Sequence, residues 1–181
     1  ALIGKAGPFT IVLNRGETYV CSSASNLGSL KPGGTTVTSN KPIAISTKDD
    51  SIALPGQSCS DTAGDQLLPD DLAGNEFIVV KGYLSITPDH YYVYATNNAT
   101  TIKINGLSVG TINAGEYYTG KLTDVSCYIE SDKPTHVFHI TGFGCEVGGA
   151  VIPPIRCTGS TSVNVTRATA TEGFFLNVIA P

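Results

Sequence analysis

The feature that most limits what this chain can fold into is a succession of short runs rich in Val, Ile, Thr, Tyr and Phe, each closed off by Gly, Pro, Asn or Asp. FTIVL (9–13), ETYVC (17–21), TTVTS (35–39), PIAIST (42–47) and EFIVVKG (76–82) come first. YYVYAT (91–96), TIKIN (101–105), EYYTG (116–120), SCYIES (126–131), THVFHI (135–140), SVNVT (162–166) and FFLNVI (174–179) follow. Such runs between turn formers specify strands, and hardly any segment has the i, i+3, i+4, i+7 apolar spacing of an amphipathic helix. With 20 Gly and 10 Pro in 181 residues, the fold class is all-β, built from tandem antiparallel sandwich-like units, with a propeller-like array as the alternative. The best helical candidate, Asp65 to Leu72, is held to a single turn by Pro69.

An internal repeat organises these strands. LNRGETY (13–19) followed by TTVTSNKPIAI (35–45) matches INAGEYY (112–118) followed by CYIESDKPTHVF (127–138). Gly16 and Gly115 fall at the same place in a strand, turn and strand, each followed by a glutamate. Asn40-Lys41-Pro42 matches Asp132-Lys133-Pro134, where the residue before proline is pushed to extended conformations and a new strand is expected to begin. The two offsets agree within one loop insertion, so each copy reads as a small β unit rather than a solenoid rung. Residues 9–47 and 108–140 are expected to form the same set of antiparallel strands. The expected boundaries are 1–85 for a first unit with an acidic connector, 86–160 for a second unit, and 161–181 for a following unit or closing strands. YYVYATNNATTIKI, which opens the second unit, has no counterpart ahead of Phe9. The chain therefore reads as a window onto a longer, processed array whose edge strands pair beyond it.

A net charge of -4, with 14% charged residues and no run of Lys or Arg, offers no footprint for a phosphate backbone, so nucleic acid is not an expected partner. No apolar run approaches the ~20 residues of a membrane-spanning helix, and membrane insertion is not expected. The five cysteines, Cys21, Cys59, Cys127, Cys145 and Cys157, include no C-x-x-C pair, which favours disulfides over a zinc site and an extracellular location over a reducing one. An odd number leaves at least one thiol free or paired outside this chain. Cys145 and Cys157 flank an apolar stretch and are expected to pair, closing a loop worth roughly 3 kcal/mol.

Catalytic signatures are sparse. His136 and His139 are three apart in a strand run, so their side chains point to opposite faces and cannot share an ion; His90 reads as a turn residue. No G-x-S-x-G or related signature announces a nucleophile, and an enzyme is not expected. Asp49, Asp50, Asp61 and Asp65 lie in an acidic stretch of oxygen donors and are the calcium candidates, against the alternative of solvated turn residues; no other cofactor is expected. Tyr92 and Tyr94 share a strand face and could stack on a sugar, which gives a carbohydrate-binding module of a secreted enzyme as the alternative function. The tripeptides beginning at Asn98 and Asn164 fit the N-glycan acceptor pattern but are too short to carry weight. GFGCEVGGAVIPPIRCTGS (142–160) reads either as a rigid binding loop or as a buried connector that tucks Val151, Ile152 and Ile155 onto a core.

LNRGETY, VTSNKPIAI, KDDS, GDQLLP, FIVVKG, ATNNATTIKI, INAGEYY, ESDKP, ITGFGCEVGGAVIPPIRCTGS and the closing FFLN stand in the order of a known domain. The chain resembles the IgGFc-binding protein N-terminal domain family, found in an animal mucus glycoprotein and in large surface proteins of bacteria that use type IX secretion and gliding. The resemblance implies an extracellular, non-catalytic adhesion or recognition module of a large repetitive cell-surface or filament protein. Its implied partners are neighbouring repeat units or copies of the same protein and a surface glycan or protein ligand. It does not imply immunoglobulin binding here, and no catalytic residue carries over. The bacterial branch would also make Asp50-Ser51-Ile52 and Asp61-Thr62-Ala63 acceptors for O-glycosylation at Ser51 and Thr62.

Overall fold

The computed structural model describes residues 7–23, 33–54, 58–82, 88–143, 145–157, 159–166, 169–171 and 176–179. Its strands are β1 (Ser46–Ile52), β2 (Asp61–Gln66), β3 (Gly74–Val80), β4 (Asp89–Ala95), β5 (Thr100–Ile104), β6 (Leu107–Ile112), β7 (Tyr117–Leu122), β8 (Ser126–Phe143) and β9 (Glu146–Ile152). The fold is all-β and antiparallel, with short 3₁₀ turns at Asp70–Leu72 and Ile155–Cys157. Pro69 stands at the N-cap of the first of these, so the helical candidate is reduced to one turn.

β8 is the spine of a seven-stranded sheet. Its first half pairs with β3 on one side and β5 on the other, its second half with β4 and β9. Pro134 lies where the partners change, and the β3 register slips between Gly74 and Glu76 at the same place. Proline has no N–H to give a ladder, so it is tolerated where the ladder is already interrupted. Asp132-Lys133-Pro134 therefore marks a bend inside one 18-residue strand, not the start of a new one.

The bend wraps the sheet around a core of Phe77, Val79, Tyr91, Val93, Ile102, Leu122, Cys127, Ile129 and Val137. Alternation puts these side chains on one face. On the other face Ile140 and Val147 pack with Leu54, supported by Ile52, Tyr92 and Phe138. Asn105 and Gly106 join β5 to β6 with φ of 51° and 82°, the left-handed pair that a two-residue hairpin demands and Asn-Gly supplies. Tyr91 lies directly opposite Gly120 in the β4–β7 ladder, and a Cβ on Gly120 would stand 1.9 Å from the Tyr91 ring. Because Tyr91 is buried in the core, its ring has nowhere to move. Gly120→Ala is expected to destabilise the fold by about 1–3 kcal/mol, read from urea midpoints; an unchanged midpoint would show that the ring is not fixed there.

β1 and β2 form a separate two-stranded sheet whose second strand lies along the outer edge of β9. There Asp61 Oδ2 accepts the Val147 N–H at 3.2 Å and Asp65 Oδ2 the Val151 N–H at 2.7 Å. The edge of β9 is thus closed by side chains rather than by another ladder, one way in which an exposed edge is blunted. A disulfide from Cys59 to Cys145 fastens the same hairpin to the approach to β9. This corrects the expected Cys145–Cys157 bond. Pairing by sequence proximity fails because the β1–β2 hairpin folds back onto β9 and brings a cysteine 86 residues away to 5.3 Å between Cα atoms. Cys21 and Cys127 are free thiols, exposed and buried respectively.

The glycine-containing segment 142–160 is not a loop throughout, because β9 takes up its residues 146–152 and pairs with β8. Gly149 is opposite Ile140, and a Cβ there would come within 2.6 Å of the Phe138 ring. Ile152 reaches the main core, whereas Ile155 is partly exposed.

Chain contacts divide residues 1–38 from residues 39–181. The expected boundary at 85/86 separates no units, since β3 pairs with β8 across it within one sheet. Runs 9–13, 17–21, 35–39 and 162–166 carry no strand, and only Ser46 and Thr47 of PIAIST enter β1. Of FFLNVI (174–179), residues 174 and 175 lie outside the described residues and 176–179 carry no strand. Propensity alone does not make a strand; the N–H and C=O groups need a neighbour to bond. The first unit retains one element of the expected repeat, a turn at Asn14–Glu17.

Candidate functional site

The four calcium candidates do not converge. Asp61 and Asp65 use one oxygen each on β9 and the other on the next N–H of their own strand, Thr62 and Gln66, both at 2.7 Å. Asp49 accepts the Ser51 N–H at 3.0 Å, and Asp50 pairs with Lys48 at 2.7 Å on the surface. Among the described residues no three His, Cys, Asp or Glu side chains form a group suited to a metal ion. Each carboxylate is committed to a protein donor, which is why their closeness in sequence does not become a cage. Ser51 and Thr62 are exposed on the two strands of the same hairpin, with Ser51 Oγ 3.1 Å from Ser60 Oγ.

Tyr92 does not offer an open stacking face. It packs against the Ile140 cluster and meets Tyr117 edge to face at 5.9 Å; burial raises its phenol pKa. Tyr94 is half-buried beside it, opposite His136 and Tyr117 in the ladders. Of the two N-glycan tripeptides, the first places Thr100 fully inside the fold with its hydroxyl bonded to Asn97 O.

Histidine chemistry here is structural. His136 lies 3.3 Å from Asp70 at the surface. His139, on the opposite face of β8, sits 2.9 Å from Asp89, and both are buried. An ionised carboxylate only accepts, so His139 Nε2 carries the hydrogen. Asp89 also accepts the Gly82 N–H at 2.8 Å. Among the described residues no hydroxyl or thiol bonds to His139, so the pair lacks the nucleophile that would extend it into a catalytic relay. His90 is buried, and its Nδ1 has no hydrogen-bond partner among the described residues.

Burial lowers the pKa of His139, with Asp89 opposing it, and burial followed by Lys121 lowers that of His90, again opposed by Asp89. Both folded values lie below the ordinary 6.5, so the unfolded chain binds protons that the folded chain refuses. Stability is then complete above pH 6.5 and falls as pH drops through that value toward the folded ones. Each histidine is expected to contribute a slope of up to roughly 1.4 kcal/mol per pH unit. Urea unfolding in this window should show the slope in the wild-type chain, and His90→Gln with His139→Gln should flatten it. An equal slope in the double variant would assign the effect to other groups.

An open cleft of about 290 Å³ lies between β2, β8 and β9, lined by Asp61, Gly82, Thr141, Gly142, Glu146, Val147 and Gly148. Thr141 Oγ1 is buried without a hydrogen-bond partner among the described residues. Asp61 is already committed on both oxygens, and Glu146 is the other carboxylate in the lining.

The repeated turn has the most definite geometry. In Asn113–Glu116, Gly115 has φ 86°, the Glu116 N–H bonds Asn113 O at 2.9 Å, and Glu116 Oε2 accepts the Asn113 N–H at 2.8 Å. In Asn14–Glu17 the same three features recur, with Gly16 φ 85° and distances of 3.0 Å and 2.8 Å. Glycine is needed because the third turn position is left-handed, and glutamate because it caps the turn's first N–H.

The second turn grips the crossover from β4 to β5. The Gly115 N–H bonds Ala95 O at 3.0 Å, and the Ala95 N–H bonds Glu116 O at 3.1 Å. Asn113 Oδ1 accepts the Ala99 N–H at 3.2 Å, while Asn98 Oδ1 accepts the Ala114 N–H at 3.1 Å. Lys133 Nζ donates to Asn98 O and Ala99 O, and Asp132 Oδ1 accepts the Thr101 N–H at 2.7 Å. Both halves of the sequence repeat, INAGEYY and DKP, thus hold one segment, ATNNATT. The repeat located the motif, but only the fold reveals what it holds.

A family model described as IgGFc binding protein matches residues 2–180. No curated protein and no solved structure matches the chain.

Proposed function

The chain belongs to the IgGFc-binding protein family, and from that premise we propose that it is a non-catalytic extracellular adhesion or recognition module. It forms one length of a large repetitive cell-surface or filament protein, and its partners are neighbouring units or copies together with a surface glycan or protein ligand. The observation that carries this reading is that the Asn14–Glu17 turn is already formed while, among the described residues, the runs that flank it form no strand. Val12 is 86% and Val20 69% exposed there, as suits a segment whose sheet is completed by another unit. The Cys59–Cys145 disulfide fits an oxidising compartment, and no helix among the described residues is long and apolar enough to cross a membrane. Within the bacterial branch, type IX export and O-glycans on the exposed Ser51 and Thr62 complete the proposal. Immunoglobulin is not assigned as the ligand, since nothing in these residues points to it.

Antibody against the chain should label intact producing cells, and deletion of the protein should reduce their attachment to surfaces. Labelling that requires permeabilised cells would overturn the extracellular assignment; unaltered attachment would overturn adhesion.

A further inference from the structure

Asn113–Glu116 and Asn14–Glu17 have the same internal bonds, yet they differ in what they hold. The groups of the second turn that grip the β4–β5 crossover are the N–H groups of Ala114 and Gly115, the C=O of Glu116 and Oδ1 of Asn113. Their counterparts are the N–H groups of Arg15 and Gly16, the C=O of Glu17 and Oδ1 of Asn14. Among the described residues these four have no hydrogen-bond partner. The change from Ala114 to Arg15 leaves this chemistry intact, because the backbone makes the contact.

The apolar flanks differ in the same sense. Ile112 and Tyr118 pack against the main core, whereas Leu13, the counterpart of Ile112, is 45% exposed. Tyr19, the counterpart of Tyr118, meets Phe9 edge to face at 6.3 Å, and its hydroxyl is buried without a hydrogen-bond partner among the described residues. An oriented turn with left-handed glycine, free donors and acceptors and an apolar flank is preorganised for an extended peptide.

We infer that the Asn14–Glu17 turn is a docking site for a strand–Asn-Asn-Ala-Thr–strand segment of the β4–β5 kind, supplied by another repeat unit. This rests on the multi-unit reading above and specifies its junction. The incoming alanine that corresponds to Ala95 bonds the Gly16 N–H and the Glu17 C=O. The incoming second asparagine accepts the Arg15 N–H, and the following alanine N–H donates to Asn14 Oδ1. The incoming strands cover Leu13 and Tyr19 as β4 and β5 help to cover Ile112 and Tyr118.

The test titrates the full chain with a labelled synthetic peptide of residues 88–106, followed by anisotropy and by amide hydrogen exchange. Saturable binding with a Kd of about 10–100 μM is expected, with new exchange protection across residues 10–20. Asn14→Ala in the protein, and Asn98→Ala in the peptide, should each weaken binding about tenfold, the loss expected of one hydrogen bond left unmade. Asn14 is exposed, so its variant should retain the fold. No saturation by about 1 mM, affinity indifferent to both substitutions, or protection changes confined to residues 113–118 through strand exchange would each overturn the inference. Surface labelling of cells does not depend on this result: surface protein that fails to bind the peptide refutes the junction alone, and peptide binding by a protein found only inside cells refutes the location alone.

Discussion

Reduction of the Cys59–Cys145 bond, or Cys59→Ser, is expected to lower stability by up to about 4–5 kcal/mol. That is the chain-entropy value for closing a loop of the order of 90 residues in the unfolded chain. The bond also holds the β1–β2 hairpin where Asp61 and Asp65 close the β9 edge, so its loss should expose those N–H groups and speed their exchange. Urea unfolding with and without reductant measures the first effect, and amide exchange at Val147 and Val151 the second. A midpoint that ignores reductant, or a peptide map that recovers Cys145 joined to Cys157, would refute the pairing.

Phe77→Ala should be the most damaging single truncation, at about 3–5 kcal/mol. Phe77 is 1% exposed, lies opposite Ile129 in the β3–β8 ladder and packs with Val79, Ile102 and Val137 in the main core. Removing the ring leaves a cavity that two paired strands cannot collapse to fill. Leu107→Ala, on β6 and 74% exposed, should change stability by less than about 0.5 kcal/mol. Similar midpoints for the two variants would mean that the core does not depend on β3.

Local pattern was a good guide where a run both alternated and had a partner nearby in the chain. β3, β4, β5, β7 and β8 all fall on runs that composition marks as strands, because burial of one face and local propensity agree there. It failed in two directions. β2, DTAGDQ, and β9, EVGGAVI, contain glycines and acids that disfavour strands, yet both form because a neighbouring backbone and two aspartates satisfy them. Conversely FTIVL and ETYVC have strong propensity and form no strand among the described residues. Asn105-Gly106 was a legible hairpin signal for β6, since the dipeptide tolerates the left-handed pair that this turn needs.

What the sequence determined by itself is what depends on near neighbours: the all-β class, the family, the shared Asn-x-Gly-Glu turn and the opposite facing of His136 and His139. A turn's bonds close within four residues, and strand alternation has a period of two. The tertiary structure decided everything that depends on which distant segments meet. It chose Cys59 rather than Cys157 for Cys145, turned the acidic stretch from a cation candidate into a seal on β9, and ran β8 through Pro134 as one bent strand. It also paired Asp89 with His139, and set Asn113 against Ala99. These contacts join residues that local periodicity does not relate, and the free energy that selects them comes from burying the whole sheet at once.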